Sequence, residues 1–455
     1  MSRRGALAAL CAITALGLIA ARPARAQQVT TLEEALRTAL TLNPNIESSS
    51  AAAAAATSSR WADWGAFLPS IDLRGSLSQT DFTTVTFLDP TGVSQVVEDP
   101  ITSTRKNSQG SLTFGLALLN PERISNVKAG DARENAATLR LTGAEREVIR
   151  DVKQSYFEAL KQRQLLDVSR RQLEARRQDF AVTEQRYRIA AASRSDLLGA
   201  EIDLSDAELR VLDSEDALSR ALRQLQVTLG VPVTDADRGS VELVDMDRVP
   251  DAALLDADLL VSNALASNPN LLALREDERA ASNDLWSAKS TYLPRIDLGY
   301  TFGRSKDLGR DESLIDFSPA NTSGGFVIQG SWSVFSGFTR KRQTAQADRT
   351  RRQAVAQLTA QQLQIEKEVR DLVKELKRRS KRLGIIERNV SLAGERLDLA
   401  REQYRLGSIP YFNLQQAIDR LTLTEQSLFQ ERYDYLIGWA SLEERVGGNL
   451  GQGAT

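Results

Sequence analysis

Residues 67–73 read Phe67-Leu68-Pro69-Ser70-Ile71-Asp72-Leu73, and residues 292–298 read Tyr292-Leu293-Pro294-Arg295-Ile296-Asp297-Leu298. The spacing of 225 holds upstream, where Trp61 matches Trp286 and Asn43-Pro44-Asn45-Ile46 matches Asn268-Pro269-Asn270-Leu271. Further along the offset is 217: Gln185-Arg186-Tyr187-Arg188-Ile189 matches Glu402-Gln403-Tyr404-Arg405-Leu406, and Leu229-Gly230 matches Val446-Gly447. One large unit is written twice, and a repeat conditions every later reading. The shrinking offset places an insertion in the first copy, expected in a hairpin loop at about 81–107. The matching loop of the second copy is expected at 304–323. Asp89-Pro90-Thr91-Gly92, Asp99-Pro100 and Ser318-Pro319 supply turn signals there.

Just past each quoted stretch the hydrophobic period is two. Ile71, Leu73, Gly75 and Leu77 alternate with Asp72, Arg74, Ser76 and Ser78, and Leu112, Phe114, Leu116 and Leu118 alternate with Ser111, Thr113, Gly115 and Ala117. The second copy repeats this with Ile296, Leu298, Tyr300 and Phe302, then Phe326, Ile328, Trp332 and Val334. Alternation over about ten residues, with aromatics near the ends, fits outer-membrane strands that turn one face to lipid and one to a wet lumen. It equally fits a soluble sheet with one buried face.

Outside these stretches the period lengthens. No proline occurs from Glu122 to Val231 or from Ala320 to Ile409, and both segments are rich in alanine, leucine and charge, the composition of long helices. Leu197, Leu204, Val211, Leu218 and Leu225 recur every seven residues, as do Leu414, Leu421, Leu428, Tyr435 and Leu442, while Ile386, Val390, Ala393, Leu397, Ala400 and Tyr404 alternate three and four. Sustained heptads predict helices side by side at small angles. One helix over 121–189 would be about 100 Å long.

Composition narrows the chemistry. The 455 residues are 42% hydrophobic and 26% charged, with no histidine and one cysteine, Cys11. Ser-His-Asp and Cys-His nucleophiles and histidine or cysteine zinc sites are excluded. Mean hydropathy of −0.31 is too low for a bundle of membrane helices. Met1-Ser2-Arg3-Arg4, an apolar stretch from Ala6 to Ala21, and Ala24-Arg25-Ala26 form an export signal, with the mature chain expected to begin at Gln27. Its removal takes away four arginines and no acid, moving the formal charge from −2 to −6. A mildly acidic chain is no nucleic-acid binder by charge.

Four strands cannot close a barrel, and an open edge in lipid leaves backbone groups unpaired at several kcal/mol each. If the strands cross a membrane, several copies share one barrel; three copies would give twelve strands, wide enough for a pore.

The paired Asn-Pro-Asn elements, Phe-Leu-Pro-Ser-Ile and Tyr-Leu-Pro-Arg-Ile at strand entry, and Gln-Arg-Tyr-Arg-Ile and Gln-Tyr-Arg-Leu-Gly before each helical turn resemble, as an ordered set met twice, the TolC family of outer-membrane efflux and secretion channels. The resemblance covers about 30–447. It implies an α+β membrane protein, a duplicated unit of long coiled-coil-like helices with four transmembrane β-strands, forming a homotrimer with a 12-stranded β-barrel continued by a periplasmic α-helical barrel. The expected segments are a signal peptide at 1–26, helices at 27–66, the first hairpin at 67–120, long helices at 121–230, an equatorial linker at 231–252, helices at 253–292, the second hairpin at 293–335, long helices at 336–446 and a tail at 447–455. The implied function is a passive exit duct without catalysis or cofactor, served by a periplasmic adaptor and an inner-membrane pump such as an RND or ABC transporter. A periplasmic coiled-coil adaptor or scaffold with a soluble sheet is the competing reading.

The resemblance also implies site residues. The turns Ala190, Ala191, Ala192 and Ser193, and Gly407, Ser408, Ile409 and Pro410, would dock the adaptor; Gly407 equally serves as a helix cap. Asp196 and Tyr404 would hold the periplasmic gate shut, although Asp196 also suits a helix N-cap region and Tyr404 a heptad core position. Asn413 and Gln416 stand where the best-known member carries acidic rings, and Ile409 matches its gate arginine, which weighs against a strongly cation-selective gate. Leu73, Phe114, Leu298, Phe302, Ile328 and Trp332 are the expected lipid-facing strand residues.

Overall fold

The computed structural model describes residues 31–88, 90–92, 94–233, 250–308 and 321–448. The expected export signal with Cys11, most of the expected 231–252 linker, the expected turn at Ser318-Pro319 and residues 449–455 lie outside the described residues. The order of elements is α1 (Leu32–Leu42), α2 (Pro44–Gly65), β1 (Ser70–Leu88), β2 (Ser94–Leu119), α3 (Pro121–Arg188) and α4 (Arg194–Leu229), then α5 (Ala257–Ser267), α6 (Pro269–Ser290), β3 (Arg295–Leu308), β4 (Asn321–Ser331), α7 (Thr339–Arg405) and α8 (Tyr411–Val446). Two short helices, two strands, a long helix and a shorter one thus occur twice.

The described residues form two compact units that do not coincide with the copies. One holds α1 and the chain from Val152 through α4; the other holds α2, the sheet, α3 up to Asp151, and α5 to α8.

In the first unit the α4 heptad residues Leu197 and Leu225 are buried, with Ala200, Ala207 and Ala221 filling the intervening turns. Alanines at such positions let neighbouring helices approach closely. The polar seam between α3 and α4 is stitched by the Ser169 and Ser214 hydroxyls, 2.9 Å apart, by Arg170 to Glu215 at 2.9 Å and by buried Arg176 to Asp203 at 3.5 Å.

In the second unit α7 runs 67 residues, about 100 Å at 1.5 Å per residue. Ile386, Ala393, Leu397, Ala400 and Tyr404 are buried along it, as the three-four alternation predicts. α5, α6, α7 and α8 share one core that includes Leu271, Ile365, Val369, Leu376, Tyr435 and Leu442. Each fully buried leucine or isoleucine contributes about 1.5–3 kcal/mol. Arg379 of α7 bridges Glu431 and Asp434 of α8 at 3.3 and 3.4 Å.

Both copies carry the same clamp where the strands leave the helices. Arg123, in the first turn of α3, donates to the carbonyl of Ala66 just past α2. Arg340, in the first turn of α7, donates to the carbonyl of Thr291 just past α6 and to that of Ser333, and lies 5.0 Å from the centre of the Tyr292 ring.

The strands form one antiparallel sheet in the order β1-β2-β3-β4. Two expectations are corrected here. The first hairpin has almost no loop: β1 and β2 pair through 81–107, from Asp81 opposite Thr104 to Leu88 opposite Ser94. The insertion of the first copy enters as strand, 19 and 26 residues against 14 and 11 in the second. Backbone ladders are indifferent to polarity, and this part is rich in β-branched threonine, so the absence of an apolar row concealed it. The register slips between Thr84 and Thr86, opposite the part of β2 holding Pro100, which has no N–H to give to a ladder. Likewise β3 runs to Leu308, beyond the expected loop start at 304.

The second correction is that β4 ends at Ser331, so Trp332 and Val334 are not strand residues. Ser331 pairs with Arg295, the first residue of β3; Pro294 before it cannot donate, so the ladder has no next rung. Trp332 instead donates its Nε1–H to the Tyr292 carbonyl at 3.0 Å.

Candidate functional site

The register sorts the sheet into two chemically distinct faces. Directly opposed residues point the same way, and Leu73 opposes Leu112, which opposes Phe302. Ile71 opposes Phe114, then Tyr300, then Phe326; Leu116 opposes Leu298, then Ile328. Leu73, Phe114, Leu298, Phe302 and Ile328 therefore share a single face that crosses all four strands. The Tyr300 and Phe326 rings meet with centroids 4.5 Å apart and planes tilted by 42°, while Phe326 is 77% exposed, Ile328 71% and Leu73 81%. So large a contiguous apolar surface marks a lipid or protein contact.

On the other face stand Asp72, Thr113, Thr301 and Gly325 in one row, and Arg74, Ser111, Gly303 and Ser323 in the next. Its polar groups bond along the face: Asn107 donates to Asp307 at 3.0 Å and Arg295 to the Ser331 hydroxyl at 2.6 Å. The outer edges of β1 and β4 have no strand beside them among the described residues.

The two helical turns have the same backbone. Ala191 N–H bonds Arg186 O at 2.7 Å and Ala190 N–H bonds Tyr187 O at 3.0 Å; Ser408 N–H bonds Gln403 O and Gly407 N–H bonds Tyr404 O, both at 2.9 Å. This is the Schellman closure, which requires a left-handed residue. Gly407 has φ 77° and Ala190 has φ 54°.

Beyond the turns the copies diverge. Ser193 caps α4 in a capping box: its hydroxyl accepts from Asp196 N–H, and the Asp196 carboxylate accepts from Ser193 N–H at 3.0 Å and from its hydroxyl at 2.8 Å. α8 follows Pro410, an N-cap residue that offers no side-chain cap. Tyr404 is buried in the second unit, its ring 5.9 Å from that of Tyr411. Asp196 and Tyr404 thus fall in separate units, each with a local structural role. Asn413 and Gln416 are exposed on the first turns of α8. Arg405 holds the Glu402 carboxyl below its ordinary range beside the second turn.

Two features escaped the sequence reading. A second apolar stripe runs down α7 to its C-cap: Ile385, Leu392, Leu399 and the cap residue Leu406 are spaced by seven and 50–68% exposed. Its spacing was available in the sequence, but a helix with two heptad seams is legible only once one of them is seen to be filled. The other is the end of α8, whose last carbonyls are capped from the Asn-Pro-Asn corner: Asn268 donates to Arg445 O at 3.1 Å and Ser267 to Val446 O at 2.8 Å. Nearby, the Tyr435 hydroxyl donates to Pro250 O at 2.6 Å, and burial, with Asp251 beside it, pushes that phenol up to about 12.

Among the described residues no helix is long and apolar enough to cross a membrane. No cluster of metal-ligating side chains occurs among them either.

Comparison with known proteins agrees with this geometry. The outer membrane efflux protein family (OEP) matches residues 35–231 and 260–448, one stretch per copy. The alkaline protease secretion protein AprF of Pseudomonas aeruginosa is 24% identical over 339 residues, 74% of this chain and 69% of AprF. The outer membrane protein TolC of Vibrio cholerae is 20% identical over 340 residues, 74% of this chain and 76% of that protein. Among solved structures, the outer membrane protein VceC of Vibrio cholerae superposes with a TM-score of 0.75 at 18% identity, over 92% of this chain and 96% of VceC. Since the family match spans most of the sequence in both copies, the chain belongs to the outer membrane efflux protein family, the TolC-type channels of the outer membrane.

Proposed function

We propose that three copies of this chain close a twelve-stranded barrel in the outer membrane, continued by a helical tunnel in the periplasm, and that this trimer is the passive exit duct of a tripartite efflux or secretion system. One observation carries the reading: a single apolar face crosses all four strands of a sheet whose two edges stay open. An open edge in hydrocarbon costs several kcal/mol per unpaired group, whereas joining β1 of one copy to β4 of the next removes every edge. The serine, threonine and glycine face then lines the pore. The exposed α7 stripe, and Leu198, Ile202, Leu209 and Leu212 exposed on α4, give the helices apolar seams for neighbouring copies.

Export is driven by an inner-membrane transporter through a periplasmic adaptor, which docks on the turns at 190–193 and 407–410. Asp196, Tyr404, Asn413 and Gln416 form the periplasmic gate. AprF's name concerns protease secretion, which supports a protein-secretion variant of the duct. A soluble adaptor has no use for an apolar face on all four strands.

The experiment is single-channel recording of the full-length protein in planar bilayers. Combining Tyr404→Phe with Asp196→Ala should raise conductance severalfold. Unchanged conductance would confine Tyr404 to its core position and Asp196 to its cap.

A further inference from the structure

The helix pairs α2–α3 and α6–α7 are one arrangement built twice. Arg123 and Arg340, 217 apart, donate to the carbonyls of Ala66 and Thr291, 225 apart. Where the two pairs meet, α3 lies against α6. Arg133 reaches both carboxylate oxygens of Asp284 at 2.6 Å, Arg140 pairs with Asp277, and the Ser287 hydroxyl donates to Asn126 at 2.7 Å. Further along, a Cβ added at Gly143 would stand 3.1 Å from Asn270 Cγ, so the two helices run close there.

The repeat carries this contact to a second pair of faces. The mates of the α3 residues, 217 further on, are Gln343, Thr350, Gln357 and Ala360 of α7; those of the α6 residues, 225 before, are Ala62, Ser59, Ala52 and Asn45 of α2. All eight are exposed. Spacings of seven and three put each set on one side of its helix. Where the inner contact has two ion pairs, these faces bring Thr350 to Ser59 and Gln357 to Ala52, with no charge on either side. They suit each other and not the inner faces: Asp284 and Asp277 against α7 would lose their arginines, and Arg133 and Arg140 against α2 their acids. Ala360 in place of Gly143 asks only that the end of the Asn45 side chain turn aside.

The sheet has the same junction, between β2 and β3. Asp72 opposes Thr113 and its mate Asp297 opposes Gln329, so Gln329 is the mate of Thr113; Ser76 is the mate of Thr301. Thr113 opposes Thr301, and Leu112 opposes Phe302. Carried on by the repeat, that register sets Gln329 opposite Ser76 of a second copy and Ile328 opposite its Leu77, which continues the apolar face across the seam.

We propose that the next copy sits on this chain as the second repeat sits on the first. Its α2 lies along α7 in an uncharged seam, Asn45 beside Ala360, Ala52 beside Gln357 and Ser59 beside Thr350, and its β1 pairs with β4 with Ser76 opposite Gln329. This rests on the reading that copies of the chain share one barrel, and adds the faces and the register by which they join.

The test is cysteine cross-linking of the full-length protein in outer membranes, read on non-reducing gels. N45C/A360C and S76C/Q329C should each form disulfides between most chains, in a ladder that ends at three. S59C/T350C should do so through a short bis-maleimide, which provides a second helix pair should the first fail to fold. The shifted pairs N45C/Q353C, two helical turns away, and S76C/G325C, four residues along the strand, should link about tenfold less, since a disulfide tolerates little separation. Silence of both helix pairs, or better linking of Ser76→Cys to another β4 position than 329, would overturn the proposal. If a ladder ending at three still forms at some β4 position, the shared barrel stands and only the repeat-like seam falls. No link between chains at any position, together with a monomer in mild detergent, defeats both.

Discussion

Ala190 and Gly407 close the same turn in the two copies, yet only glycine enters the left-handed region without a clash between Cβ and the following carbonyl, a strain of about 1–2 kcal/mol for other residues. Ala190→Gly should therefore slow hydrogen exchange of the first turn's amides several-fold, and Gly407→Ala should speed that of the second by about tenfold. The repeat already pairs these two positions in the sequence; that alanine accepts φ 54° follows from the closure around it. Glu444 makes a second residue-scale prediction. Burial raises its carboxyl above 4.5 despite Arg445 and Arg150. A raised acid favours the fold below its unfolded value, and that favour is lost as pH rises through the folded one. Glu444→Gln should thus raise the urea midpoint near pH 7, with little change near pH 4, and flatten the profile between. Asp196 and Tyr404 show where sequence reading stops: residue type and spacing suit a cap, a core position or a gate alike, and the structure supplies the first two.

At the scale of elements, the period-two rows of 71–77 and 112–118 were legible because one face is apolar and the other is not. Strand length was not legible, because polar threonine-rich strands such as 79–84 and 101–107 have no such contrast and are held by backbone pairing. Nor was the end of β4, which depends on Pro294 in its partner rather than on its own residues. The two faces can be tested against each other on β3, a central strand. Leu298→Asp puts a carboxylate among the apolar rows at a cost of about 2–3 kcal/mol if they face hydrocarbon, and should strongly lower the yield of oligomer in the outer-membrane fraction. Thr301→Asp, on the polar face, should leave it near wild type. Equal effects would mean that the faces do not differ in what they meet.

The whole molecule returns to its composition. The chain has no histidine and a single cysteine, Cys11, and among the described residues apolar side chains run along heptad seams and over one face of one sheet. Duplication doubles two strands to four, and in the proposed barrel only repetition of the chain closes them. Closure is thus the central claim, and covalent capture of the β1 to β4 junction between copies tests it most directly. With Ser76→Cys on β1 and a cysteine scanned along 322–330 of β4, oxidation of the membrane-embedded protein should, at the positions in register, give a ladder of cross-linked chains that ends at three. A ladder running past three, or no cross-link between chains at any position, would contradict the account.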